Sequence, residues 1–450
     1  MMKVLDRLTR SIVEIGGLAI AVFLPLWFNP WAERPFEAPK VTFFRVIAAA
    51  MIIAAVAQWL KSRPSLQTIP AGLRRFLSGN PLALPALAYG FVFALATVFS
   101  DDPGLSLWGS GDSPQAMVTV LCIVAFFLLL VPCLQVPDSR ARMITALILG
   151  SVPVASYGIA QFFGLDPLPW VTDSISPILS TMGWSNFLGA YLAMVIPFTL
   201  LRITVEEEKL RYGLILSLQV TCLWLTMARA AWLSGMGSTF LFLGALARRW
   251  NRRRLWAVAS VILIAGAGLF VLMNAVPPPH WKVPNPHAPE AQDFSFSELR
   301  AASVSARLTV WRATLSLIGR RPLLGYGPER FAEVFLAHYP LAVYDPHNLL
   351  LDQLMAAGML GLASFLGVVV SFCHLTVRGI RRCTDRYTEA ALAAVLASAT
   401  AFLIQAQFNP DVITITVFFW LVMALGAGMA CKDEQDEPLC PTTVISAIAE

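Results

Sequence analysis

"PQAMVTVLCIVAFFLLLVPCL", residues 114–134, runs the length of a bilayer crossing without one charged side chain. A helix rises 1.5 Å per residue, so about 20 apolar residues span a hydrocarbon core roughly 30 Å thick. Comparable runs recur at about 11–28, 41–60, 81–99, 143–162, 184–201, 212–227, 230–247, 255–275, 349–373, 388–408 and 413–431. Of the 450 residues, 57% are apolar and 14% charged, whereas a soluble domain carries about 25% charged residues. The chain therefore reads as an all-α polytopic membrane protein of about twelve transmembrane helices, one integral membrane domain over 1–450.

Lys and Arg orient these spans, because cytoplasmic loops retain cations. The side shared by both termini holds 22 of them and the opposite side 10. Both termini are thus expected in the cytoplasm. The basic stretch 1–10 precedes an apolar run with no small-residue cleavage site, which predicts an uncleaved first span. The tail 432–450, with Asp433, Glu434, Asp436 and Glu437, reads as a solvated end. A net charge of +5 follows from the inward loops and calls for no nucleic acid. The seven cysteines lack metal-ligand spacing and none falls in an outer loop, so neither a disulfide framework nor a zinc site is expected.

Seven of the ten outward cations lie in one loop, 276–346, between the ninth and tenth spans. It opens with the proline-rich "NAVPPPHWKVPNPHAPEAQ", which excludes a regular helix. Then "SELRAASVSARLTVWRATLSLIGRRPLLGYGPERF" takes up a helical period. Val304, Leu308, Trp311, Leu315 and Ile318 form an apolar stripe, with Arg300 and Arg307 on one flank and Arg312 on the other. An amphipathic helix on the membrane surface, its arginines solvated or touching lipid headgroups, explains the pattern. So does a lid whose Arg307 points into an outer-leaflet cavity, since the guanidinium fork suits a diphosphate.

Two further polar positions sit at expected helix ends. In "CLWLTMARAAWLSG", Arg229 occupies a short outer turn, where an arginine either snorkels to headgroups or marks function. In "STMGWSNFLGAYLAMVIPF", Asn186 lies between Gly183 and Gly189, a pattern for a helix cap and close packing as well as for ligand contact.

The densest polar motif is "YDPHNLLLDQLMAAGMLGL", residues 344–362. Asp345 is expected to cap a helix starting at Pro346, with His347 and Asn348 in its first turn. At 100° per residue, Gly358 and Gly361 lie about +20° and −40° from His347, on one face, where a glycine pair admits a close neighbour. Asp352, an acid early in a membrane helix, is a functional candidate, placed about 140° away from His347 on such a helix. His338 is near His347 in sequence but shares no helical frame with it, while His280, His287 and His374 fit plain structural placements.

His347-Asn348, nine residues, then Gly358-x-x-Gly361 resembles the signature of the O-antigen ligase family, part of a wider group of polysaccharide polymerases and bacterial protein O-oligosaccharyltransferases. "SARLTVWRATLSLIGRRPLLGYG" is similar to that family's loop helix, and "ARAAWL" to its membrane-edge arginine segment. The resemblance implies a glycosyltransferase of the bacterial inner membrane with its active site facing the periplasm. The donor would be a glycan on undecaprenyl diphosphate, and the acceptor lipid A core, another lipid-linked glycan or a protein. It implies His347 as the catalytic residue and Arg229 and Arg307 as diphosphate contacts. Asn348, Asn186, Trp311, Arg300, Asp352 and His338 are supporting candidates. No cofactor or metal is implied. A secondary transporter, or a purely structural membrane protein, is the alternative of another class; transporters often show two similar halves, which this chain lacks.

Overall fold

The computed structural model describes residues 2–62, 77, 79–110, 115–168, 178–205, 208–247, 296–340 and 343–430, the side chains of 2–6 and 296–304 excepted. Among these residues there is no strand. The helices are α1 (Met2–Phe23), α2 (Glu37–Ser62), α3 (Ala83–Val98), α4 (Pro103–Trp108), α5 (Met117–Leu134), α6 (Pro137–Phe162), α7 (Ser185–Val205), α8 (Lys209–Leu225) and α9 (Arg229–Leu246). They continue with α10 (Phe296–Ile318), α11 (Phe331–His338), α12 (Leu349–Arg382), α13 (Arg386–Gln405) and α14 (Ile413–Ala430). Every apolar run read from the sequence coincides with a helix except 255–275, which lies outside the described residues, as do His280, His287 and the tail. Seven of these helices are long and apolar enough to cross a membrane. The chain is an all-α, multi-pass membrane protein.

Local chemistry sets the boundaries. Asp102 caps α4 by accepting from Leu105 N at 3.0 Å, with Pro103 at the first helical position, where its missing N–H costs nothing. Asp385 caps α13 through Thr388 N at 2.8 Å. The centre of the bundle is α7 and α14, whose most apolar windows are 83% and 89% buried, against 28% for the peripheral α2. Lipid gives no hydrophobic drive for helix association, so close approach of small residues has to supply it. At Gly189 a Cβ would stand 2.5 Å from the Ala231 Cβ, which fixes how tightly α7 meets α9.

Polar contacts identify the two ends of the bundle. At one, Lys40 Nζ donates to Thr181 O (2.7 Å), Ile413 N to Glu37 Oε2 (3.1 Å) and Gln405 Nε2 to Asn186 O (3.2 Å). At the other, Arg142 Nε donates to Glu14 (2.8 Å) and Arg202 to Ala141 O (3.0 Å). The first end also carries α10, α11 and the start of α12.

Candidate functional site

The expectation of a regular helix through residue 361 fails at one place. α12 breaks at Ala357 (φ −140°, ψ 15°) and Gly358 (φ 63°, ψ −160°). Into this break docks the turn 322–327, the "PLLGYG" that follows α10. Tyr326 N donates to Met355 O (2.8 Å) and Gly327 N to Ala356 O (3.1 Å), while Met359 N and Leu360 N donate to Pro322 O (2.7 Å) and Leu323 O (3.2 Å). The turn replaces the intrahelical bonds that the break removes. A Cβ on Gly358 would lie 2.3 Å from Leu323 C and O, and one on Gly325 2.4 Å from Met355 O. The glycines of the two motifs therefore serve one another at Gly358 and Gly325: Gly358 seats a loop backbone, whereas a Cβ on Gly361 would meet the Ala357 Cβ of its own helix at 2.4 Å. Residues 359–382 alone still exceed the ~20 needed to span.

The turn is held from behind as well. Ser100 Oγ donates to Tyr326 O (3.0 Å), and Arg321 pairs with Asp101 (2.8 Å) while lying over the Tyr326 ring. Arg330 pairs with Glu333 and lies 3.7 Å from Asp102. Two of the loop's cations are thus part of the docking.

His347 stands outside α12, which corrects the cap assignment. Asn348, not Asp345, is the N-cap: its Oδ1 accepts from Leu350 N and Leu351 N, both at 3.1 Å. Such a cap contributes about 1 kcal/mol. Its Nδ2 donates to Gln407 O at 3.2 Å, and Leu349 N donates to Ala406 O at 2.8 Å, which pins the start of α12 to the end of α13. Asp345 instead turns back on His347, its Oδ1 accepting from His347 N (2.7 Å) and bonding Nδ1. Trp311 on α10 donates from Nε1 to Pro346 O at 2.8 Å. The His347 side chain is 43% exposed, and its Nε2 has no hydrogen-bond partner among the described residues. It is a partly open imidazole on a segment clamped from two sides.

Arg307, one helical turn before Trp311, is half-buried on α10. Burial pulls its guanidinium below the usual arginine range, and the nearby Asp345 carboxylate pushes it back up. Arg229 is exposed at the first position of α9, two residues after the left-handed Met227 (φ 54°). Asn186 reaches the same end through its carbonyl, which Gln405 binds. Asp352 is buried and takes a hydrogen bond from Gln115 Nε2, so it ties α12 to the segment before α5 rather than pairing with His347. His338 bonds Val334 O within α11 at 2.8 Å. Arg300 lies on α10, but its side chain is outside the described residues.

The apolar stripe of α10 is also redrawn. Thr314, Leu317 and Ile318 are buried, with Val310 and Ala313 packed beside them, whereas Leu308 and Leu315 are exposed. Two apolar faces exist, and only one meets α11 and α12. Trp311 lies between them. Sequence reasoning missed Asp345 as the partner of His347 and missed Gln407 and Ala406 as anchors, because both anchors come from a helix about 60 residues downstream. The Asp-Pro-His spacing was a visible signal for the first, since a short acid two residues ahead can turn back on the backbone N–H.

Every non-glycine residue with positive φ among those described, Ser180, Met227, Glu329 and His347, lies at this end of the bundle. Such backbone costs of order 1–3 kcal/mol each and persists where surrounding contacts over-determine it.

Residues 213–366 match the family model described as O-antigen ligase. The match takes in Arg229, Arg307, Trp311, His347 and the break at Gly358, and it ends soon after Gly361; Asn186 precedes it. A comparison with curated protein sequences finds no match.

Proposed function

We infer that this chain, whose residues 213–366 match the O-antigen ligase family model, moves a glycan from a polyprenyl diphosphate to an acceptor hydroxyl on lipid A core. A glycan-transferring membrane enzyme is what the family match supports; the donor, the acceptor and the residue roles are our reading. It rests chiefly on one observation: the open His347 Nε2 sits beside α10, the helix that carries Arg307.

The acceptor hydroxyl must lose a proton as its oxygen bonds the anomeric carbon. His347 Nε2 takes that proton as general base, a role worth about 10²–10⁴ in rate. The bond from the anomeric carbon to the diphosphate oxygen breaks, and the polyprenyl diphosphate leaves with the electron pair. Arg307 and Arg229 hold the charge that grows there, Arg307 with its two-pronged donor set. The N-terminus of α9 adds its partial positive charge beside Arg229. No metal enters the scheme. By the balance of Lys and Arg, this end faces the periplasm from the inner membrane, with loop 276–346 outside and both termini in the cytoplasm.

Arg307→Lys, which keeps the charge and loses the fork, is expected to raise KM for the lipid-linked donor about tenfold, or 1.4 kcal/mol. Arg307→Ala should cost more. Unchanged donor kinetics in both variants would remove Arg307 from the diphosphate site. The acceptor is tested in cells. A deletion strain should accumulate long lipid-linked polymer with unglycosylated lipid A core; single lipid-linked repeat units would instead identify a polymerase.

A further inference from the structure

We propose that Asp345 is a positioning residue for His347, holding its imidazole in the tautomer with Nδ1 protonated and Nε2 bare. This rests on the reading of His347 as the base. One carboxylate oxygen accepts from the His347 backbone N–H at 2.7 Å and also bonds the ring Nδ1. An ionised carboxylate can only accept, so Nδ1 carries the hydrogen, and in the neutral ring Nε2 keeps its lone pair. The pair cannot swing away as a unit. Pro346 between them has a locked φ, Trp311 holds its carbonyl, and Asn348 and Leu349 are tied to the end of α13.

The charges around the ring give the carboxylate a second task. From α10, Arg307 lies within electrostatic reach of Asp345. From α12, so does the buried Asp352, which is engaged by Gln115. Just beyond α13, the uncharged Gln407 bonds the adjacent Asn348. Asp345 is the anion bonded to the ring, and it faces the imidazolium that forms when the acceptor's proton arrives.

The test uses the full-length protein in detergent with the variants Asp345→Asn and Asp345→Glu, following kcat and KM across pH. The ring tautomer is read by ¹⁵N-histidine NMR, with His347→Ala assigning the signal. Asp345→Asn should lower kcat about 10²–10³-fold and leave the donor KM within about threefold. The acid limb of its rate profile should move to lower pH as the ring loses its anion. The hydrogen should move from Nδ1 toward Nε2, and Asp345→Glu should restore part of the rate. A lower kcat with an unmoved acid limb and unmoved tautomer would overturn the proposal, leaving Asp345 only a turn former. Normal kcat in Asp345→Asn beside an inactive His347→Ala would also overturn it and leave the base intact. Normal turnover in His347→Ala would defeat the base itself.

Discussion

Glycan transfer by the purified His347→Ala protein is expected to fall about 10²–10⁴-fold, the usual worth of a positioned general base. The loss should appear in kcat, because Nε2 meets the acceptor proton only as the new bond forms, and should leave the donor KM nearly unchanged. Thermal stability should hardly move. The ring is 43% exposed and belongs to neither apolar core cluster, so its removal opens no cavity. His347→Asn is the companion variant: asparagine tolerates the left-handed backbone at φ 51° but is no base at neutral pH. Near-normal turnover in either variant, with folding intact, rules out the general-base role.

Gly358→Ala should produce the largest loss of stability. At φ 63° any L side chain is strained, and the added carbon would sit 2.3 Å from the Leu323 carbonyl. The backbone conformation costs about 1–3 kcal/mol, and forcing the 322–327 turn off its seat leaves as many as four backbone hydrogen bonds unmade. Together these reach roughly 3–5 kcal/mol, the range of the severe single substitutions. The expected result is a midpoint in detergent many degrees lower, with transfer lost as well. Gly367→Ala on the same helix is the control. A Cβ there meets nothing within 4 Å, so it should leave both stability and transfer unchanged. A Gly358→Ala protein as stable as the parent would mean that the turn does not depend on its docking into the break.

Much of this was legible from residue order. The spans were readable because a membrane helix must supply ~20 apolar residues in succession, whatever surrounds it. The caps at Asp102 and Asp385 are equally local, since each acts within three residues of itself, although only the structure identified them. Positions 307, 311 and 347 could be singled out because polar or aromatic groups are conspicuous in so apolar a chain. Which partner each would find was a different matter. Asp345 served equally well on paper as a helix cap or as a histidine partner, and only the capture of Asn348 by Gln407 moved the helix start forward to Leu349. On α10, a single stripe seemed enough until the packing of Leu317 and Ile318 against α11 and α12 left Leu308 and Leu315 exposed.

By itself, then, the sequence determined the all-α membrane-spanning class, the order of the apolar runs that the described helices occupy and the short list of polar residues at one end. These depend on composition and on contacts within a turn or two. Tertiary structure alone decided that α12 breaks at Gly358, that the 322–327 turn fills the gap and that His347 stands before the helix rather than on it. A broken membrane helix is unfavourable unless another segment satisfies its freed N–H and C=O groups. Here that segment lies about 30 residues upstream, so the glycines at 325 and 358 acquire their meaning only when the fold brings them together.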